Sequence, residues 1–124
     1  MKNPKMKNEN ILKEKSYTFA VRIVNLCRYL YNEKKEFVLS KQILRSGTSI
    51  GAMIREGEFA QSRADFVNKM SVSLKEANET DYWLSLLRDT GYIDEKMYQS
   101  IQADCVEIIK ILVSTVKTAK SMNK

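Results

Sequence analysis

The 124-residue chain contains no histidine, one proline, one tryptophan, two cysteines and four glycines. Without histidine it lacks the commonest general base and the usual transition-metal ligand. The Glu-x-x-His pairs that hold di-metal carboxylate centres in helical bundles cannot be formed. Glu56, Glu76, Glu79, Asp104 and Glu107 are therefore poor metal candidates, and no cofactor is implied. Serine or cysteine activated by histidine is excluded too, which leaves a Ser-Lys pair as the nucleophilic arrangement still open. There is no GxxxxGK[ST] loop and no GxGxxG following a strand. Nothing in these residues requires an enzyme.

The two cysteines, Cys27 and Cys105, fall within apolar helical patterns, where a reduced thiol behaves as a small hydrophobe. Two thiols so far apart make neither a disulfide framework nor a CxxC site. No apolar run approaches the length of a membrane span, and MKNPKMKNENILKEK has no apolar stretch after its lysines, as a secretory leader would. The expectation is a cytoplasmic protein with no membrane partner.

What is present is 44% apolar and 29% charged residues, enough for a core and a soluble surface, in a chain of single-domain length. The net charge is +6, and residues 1–35 hold nine Lys/Arg against three acids. A local surplus of that kind attracts polyanions, nucleic acid above all. A solubilising lysine tail is the alternative. Residues 1–10 read as a flexible basic tail and residues 11–122 as one domain.

Phe19, Ile23, Leu26 and Leu30 recur at three- and four-residue spacing and place a first helix at about 11–34. NEKKEF makes a short turn. Ile43, Ile50 and Ile54 set a second helix at about 37–59, in which Gly47 and Gly51 are spaced GxxxG. Glycine inside a helix costs roughly 1 kcal/mol against alanine, so a neighbouring helix is expected to approach closely there. Gly57 marks a bend or an end. Ser62 reads as the N-cap of a third helix from about 63 to Thr90, with Asp65 favouring its positive start and Gly91 suited to the left-handed stop. Asp94 opens a fourth, whose stripe is Ile101, Cys105, Ile108, Leu112 and Thr115 or Val116. No segment alternates as a strand does. Short links force neighbours to run antiparallel, so the expected fold is all-α, an antiparallel up-down-up-down four-helix bundle.

On a helical wheel of the third helix, Phe66, Met70, Ala77, Leu84 and Arg88 share one direction and define the inward stripe. Lys75, Glu79, Tyr82 and Leu86 fall roughly opposite, beside Val72 and Trp83. A second apolar face on one helix marks an association surface, and Trp and Tyr are favoured anchors of such contacts. Val72, Lys75, Glu79, Tyr82, Trp83 and Leu86 are thus the expected oligomer interface. The competing reading is that Trp83 caps the bundle edge against the fourth helix.

The stretch SGTSIGAMIREGEFAQSRADFVNKMSVSLKEANETDYWLSLLRDTGYI, with SYTFAVRIVNLCRYL upstream, resembles the small bacterial four helix bundle proteins related to those encoded by intervening sequences within 23S rRNA genes. The match falls on Ser49, Ile50, Gly51, Ser62, Arg63, Asp65, Phe66, Lys75, Glu76, Glu79, Tyr82 and Trp83. The resemblance implies a homopentamer shaped as a ring or barrel. It also implies a likeness to accessory variability proteins of diversity-generating retroelements, which are basic nucleic-acid-binding partners of a reverse transcriptase. It implies no catalytic residue. Met53 stands where such proteins commonly carry asparagine, and Gly57 where alanine is frequent.

Two functions compete. The first is an oligomeric accessory protein that binds RNA or DNA by its backbone through Lys13, Lys15, Arg22, Arg28, Arg45, Arg55 and Arg63. Such contacts attract phosphate without reading bases, so binding is salt-dependent and weakly sequence-specific. The second is a protein-protein scaffold whose charge serves only solubility. Few aromatics other than Tyr17, Tyr29 and Tyr31 lie among the basic residues, so no stacking platform for single strands is evident.

Overall fold

The computed structural model describes residues 4–122, with side chains from Asn8 onward. It contains four helices: α1 (Pro4–Glu33), α2 (Leu39–Glu58), α3 (Arg63–Asp89) and α4 (Glu95–Ser121). Each packs on its chain neighbours and α4 closes on α1, which gives the antiparallel four-helix bundle expected from the spacing. The start of α1 differs from expectation. The helix begins at Pro4 rather than near residue 11. Proline is well placed as a first helical residue, since its missing N–H has no intrahelical acceptor there, and no breaker follows it.

The connections are set by specific backbone chemistry. Lys35 adopts a left-handed conformation, φ 53°, and turns the chain between α1 and α2. Glu36 then folds back so that its carboxylate accepts from the N–H groups of Val38, Leu39 and Ser40 at 3.2, 3.0 and 2.7 Å. It thereby covers the positive start of α2. Ser62 Oγ accepts from Asp65 N at 3.1 Å and Asp94 Oδ1 from Met97 N at 2.8 Å, so both sequence-expected caps form. α3 ends on Gly91, φ 83°, with Tyr92 N donating to Leu87 O and Gly91 N to Arg88 O. This is the paired carbonyl-satisfying stop that only glycine adopts without strain.

The core is a column of Leu12, Phe19, Ile23, Leu30, Ile43, Ile50, Met70, Leu84, Ile108 and Leu112, all essentially inaccessible. The GxxxG pair of α2 lies against α1. A Cβ on Gly47 would stand 2.8 Å from Ile23 Cγ1, and one on Gly51 3.2 Å from Ser16 Oγ. Gly57 lies one residue inside the end of α2, and a Cβ there would run into Met70 Cε. Between α2 and α3 the core is hydroxyl-rich. Ser73 Oγ donates to Ile50 O at 2.9 Å, and the Thr80 and Ser46 hydroxyls meet at the same distance, so these buried polar groups are satisfied. Cys27 and Cys105 are buried free thiols, in keeping with their positions on apolar stripes.

Candidate nucleic-acid and subunit interfaces

The seven cations expected to bind nucleic acid are distributed around the bundle rather than gathered. On the α4 side of α1, Arg22 donates to Asp104 Oδ2 at 2.8 Å and to Ser100 O and Oγ at 3.1 and 2.9 Å. Lys15 pairs with Glu107 at 3.2 Å. On the α2 side, Lys13 pairs with Glu58 at 3.2 Å, and the Arg55 guanidinium lies 5.7 Å from the centre of the Tyr17 ring. Arg63 is half-buried, with Nη1 out of solvent and without a hydrogen-bond partner. Arg28 and Arg45 are exposed, on α1 and α2. The reason for the scatter is periodicity. Lys15 and Arg22 are seven residues apart and share one face, whereas Arg28 is turned away from them toward the seam with α2.

Three lysines on α4 were missed. Lys110, Lys117 and Lys120 are exposed, and from Ile108 to the end of the chain there is no acid at all. Lys110 and Lys117 are seven residues apart and border the same shallow hollow with Val113, Ser114, Thr118 and Ser121. Among the described residues none of the three has an ion-pair partner. A count of charge in the last seventeen residues would have found this row.

The α3 face is only in part the apolar surface the wheel implies. Tyr82 is 61% exposed and Lys75 is exposed, while Val72, Glu79, Trp83 and Leu86 are half-buried. Trp83 packs against the core, donates Nε1–H to Glu79 Oε1 at 3.3 Å and meets the Tyr82 ring edge-on at 5.1 Å. Trp83 lies one turn from Thr80, which reaches Ser46, so it borders the α2 side of α3 rather than the α4 side. Glu76, one turn before Thr80, has Oε1 out of solvent with no hydrogen-bond partner. On the other flank of α3, Arg88 lies 4.1 Å from the Tyr98 ring, which closes the seam with α4.

A second exposed apolar group lies at the α1–α2 turn, where Tyr31 and Phe37 pack edge-on at 4.8 Å beside Val38, which is 70% exposed. Burial pushes the Cys27 thiol up to about 11, with the Glu36 carboxylate adding to the rise. Burial and then Asp81 and Asp104 push Cys105 up to about 12. Among the described residues no group of three or more cysteine, aspartate or glutamate side chains converges as metal ligands would. Among the described residues no helix is long and apolar enough to cross a membrane.

The molecule is a histidine-free four-helix bundle whose core between α2 and α3 is hydroxyl-rich. The chain belongs to the 23S rRNA-intervening sequence protein family, whose model matches residues 8–114. It is similar to a solved structure from Bacteroides thetaiotaomicron, described as a protein with unknown function from the S23 ribosomal protein family. The two share 64% identity over 89% of this chain and 98% of that one, with a TM-score of 0.88. No curated protein matches this chain. Neither the family nor the structural relative points to an enzyme class.

Proposed function

We propose that the protein is a non-enzymatic, self-associating accessory protein that holds nucleic acid by its phosphate backbone. The observation that carries this reading is the row Lys110, Lys117 and Lys120, which has no ion pair among the described residues and lies on a stretch of α4 with no acid. Three ammonium groups per copy attract phosphate weakly. Repeated around an oligomer they act as one polyvalent surface. The name of the family makes structured RNA the first ligand to test. The likeness to accessory variability proteins makes a reverse transcriptase the first protein partner to test. Of the residues expected from the sequence, Arg28 and Arg45 have no ion-pair partner among the described residues, whereas Lys13, Lys15 and Arg22 are partly neutralised by Glu58, Glu107 and Asp104.

Titration of labelled structured RNA with wild type and with the Lys110→Ala, Lys117→Ala, Lys120→Ala triple variant tests the reading. The variant is expected to bind at least about tenfold more weakly at low salt. Equal affinity would remove α4 from the account. A second reading, a protein scaffold, is favoured by Tyr31, Phe37 and Val38 exposed together at the α1–α2 turn.

A further inference from the structure

We infer that the α1–α2 turn is a stacking platform for unpaired nucleotides, with Tyr31 and Phe37 taking the bases and the cations beside them taking the phosphates. The inference rests on the nucleic-acid reading proposed above and adds a second site of different chemistry. The pairs Lys15–Glu107 and Arg22–Asp104 align α4 antiparallel with α1, so the α4 lysines lie beside the start of α1 and this turn lies at its other end.

The spacing of rings and cations in the sequence shows no such platform, because Tyr31 is the last ring of α1 and Phe37 lies in the connection to α2. The fold brings them together. Lys35 turns the chain in its left-handed conformation, Glu36 N donates to Leu30 O at 3.0 Å, and the Glu36 carboxylate is held by the start of α2. These bonds fix the turn and set the Phe37 ring edge-on to Tyr31, with centres 4.8 Å apart. An edge-on pair covers at most one face of one ring, and Tyr31 remains 59% and Phe37 44% exposed. A platform built on fixed backbone loses little freedom when a base settles on it.

The charge around the rings is largely of one sign. Arg28, one turn before Tyr31, borders the same shallow hollow as that ring. Lys34 and Lys35 are exposed on the turn and Lys41 on the first turn of α2. None of the four has an ion-pair partner among the described residues. Of the two acids between Arg28 and Lys41, Glu36 is buried with its charge directed at the N–H groups of α2, which leaves Glu33 as the one facing water. Exposed rings flanked by unpaired cations hold single strands, since a ring stacks on any base while lysine and arginine follow the backbone. A duplex keeps its base faces inside, so the turn selects unpaired bases such as those in the loops of structured RNA. The hollow beside Tyr31 is shallow, which suits a flat base better than the buried anchor side chain that a peptide needs.

The test compares, at physiological salt, two labelled strands about ten nucleotides long, an oligodeoxyadenylate and a base-free strand with the same phosphates. Wild type is expected to bind the adenine strand on the order of tenfold more tightly, and Tyr31→Ala, its helices confirmed by circular dichroism, to lose that preference. Tyr31→Phe keeps a ring and is expected to keep the preference. Arg28→Ala combined with Lys41→Ala is expected to weaken both strands alike. The α4 triple variant is expected to bind both more weakly with the preference intact. Equal affinity of wild type for the two strands, or a preference that survives in Tyr31→Ala, overturns the platform and leaves the patch to the protein-scaffold reading. Failure of the adenine strand to bind while structured RNA binds overturns it as well, with the α4 reading still standing. No binding of either strand or of structured RNA at low salt overturns the nucleic-acid reading itself.

Discussion

Glu36 is the least conspicuous of the residues on which the bundle depends, and its removal has a calculable effect. It is 8% exposed and accepts from three successive backbone N–H groups at the start of α2. Loss of a helix cap costs about 0.5–2 kcal/mol, and a buried donor left without an acceptor about 1–3. Ser40 is buried, Leu39 half-buried and Val38 exposed, so water can replace only part of what the carboxylate supplies. Glu36→Ala is therefore expected to cost about 2–3 kcal/mol, or roughly 10 °C in melting temperature for a domain of this size. Glu36→Gln keeps an acceptor but loses the charge at the helix start, for about 1 kcal/mol. Burial alone would raise the Glu36 carboxyl, but the N–H groups of Leu39, Ser40 and Val38 outweigh it and hold it below its ordinary 4.5. The native group is thus the stronger acid. Its contribution is complete above 4.5 and is lost as pH falls through the lower native value, so the gap between wild type and Glu36→Gln should close in acid. Thermal melts at fixed protein concentration from pH 7 to pH 3 measure both effects. A Glu36→Ala melt within about 2 °C of wild type, or a Gln gap that ignores pH, refutes the reasoning.

Gly47→Ala should destabilise by about 1–3 kcal/mol in urea despite alanine's better helix propensity, because its Cβ meets the branched Ile23 side chain; a neutral result would mean α1 and α2 are less close than described. Gly57→Ala should cost much less, since only the flexible end of Met70 stands in the way, and a loss as large as that at Gly47 would contradict this. Arg22→Ala should lower stability by up to about 1 kcal/mol through its half-exposed contacts with Ser100 and Asp104 while leaving RNA affinity unchanged; an affinity loss equal to that of the α4 triple variant would reinstate α1 as a binding surface. Cys27 and Cys105, raised to about 11 and 12, should stay unlabelled by a thiol reagent at pH 8 until denaturant is added, and rapid native labelling would refute their burial.

The helices and their stops were legible because local signals dominate there. Ser62, Gly91 and Asp94 act through their own backbone neighbours, and helical geometry places Phe66, Met70, Ala77 and Leu84 on the buried stripe of α3, whereas Arg88, expected there too, lies part-exposed beside Asp89 and Tyr98. The close approach at Gly47 and Gly51 was legible because glycine has few other uses in a helix. The start of α1 at Pro4 was not, since the apolar periodicity begins later while helical backbone needs no apolar residue to continue. Nor was the role of Glu36, which caps from outside the helix through a turn that depends on Lys35. The candidate site was the least legible. Lys13, Lys15 and Arg22 look free in the sequence, but their partners Glu58, Glu107 and Asp104 lie on other helices and emerge only from packing. The same blindness to long-range pairing hid the α4 lysines, which have no ion-pair partner among the described residues. Trp83 is a milder case. The wheel places it on a second face, whereas the packed helix buries half of it against the core and leaves Tyr82 as the exposed aromatic.

The central claim is that an oligomer of this chain binds nucleic acid by phosphate contact. It is tested most directly by fixing the assembly mass by light scattering and then titrating labelled structured RNA and duplex DNA at low and physiological salt. The account predicts binding to both at low salt, a steep fall in affinity as salt rises, and a shallower salt dependence for the α4 triple lysine variant. No binding to either nucleic acid at low salt would contradict it.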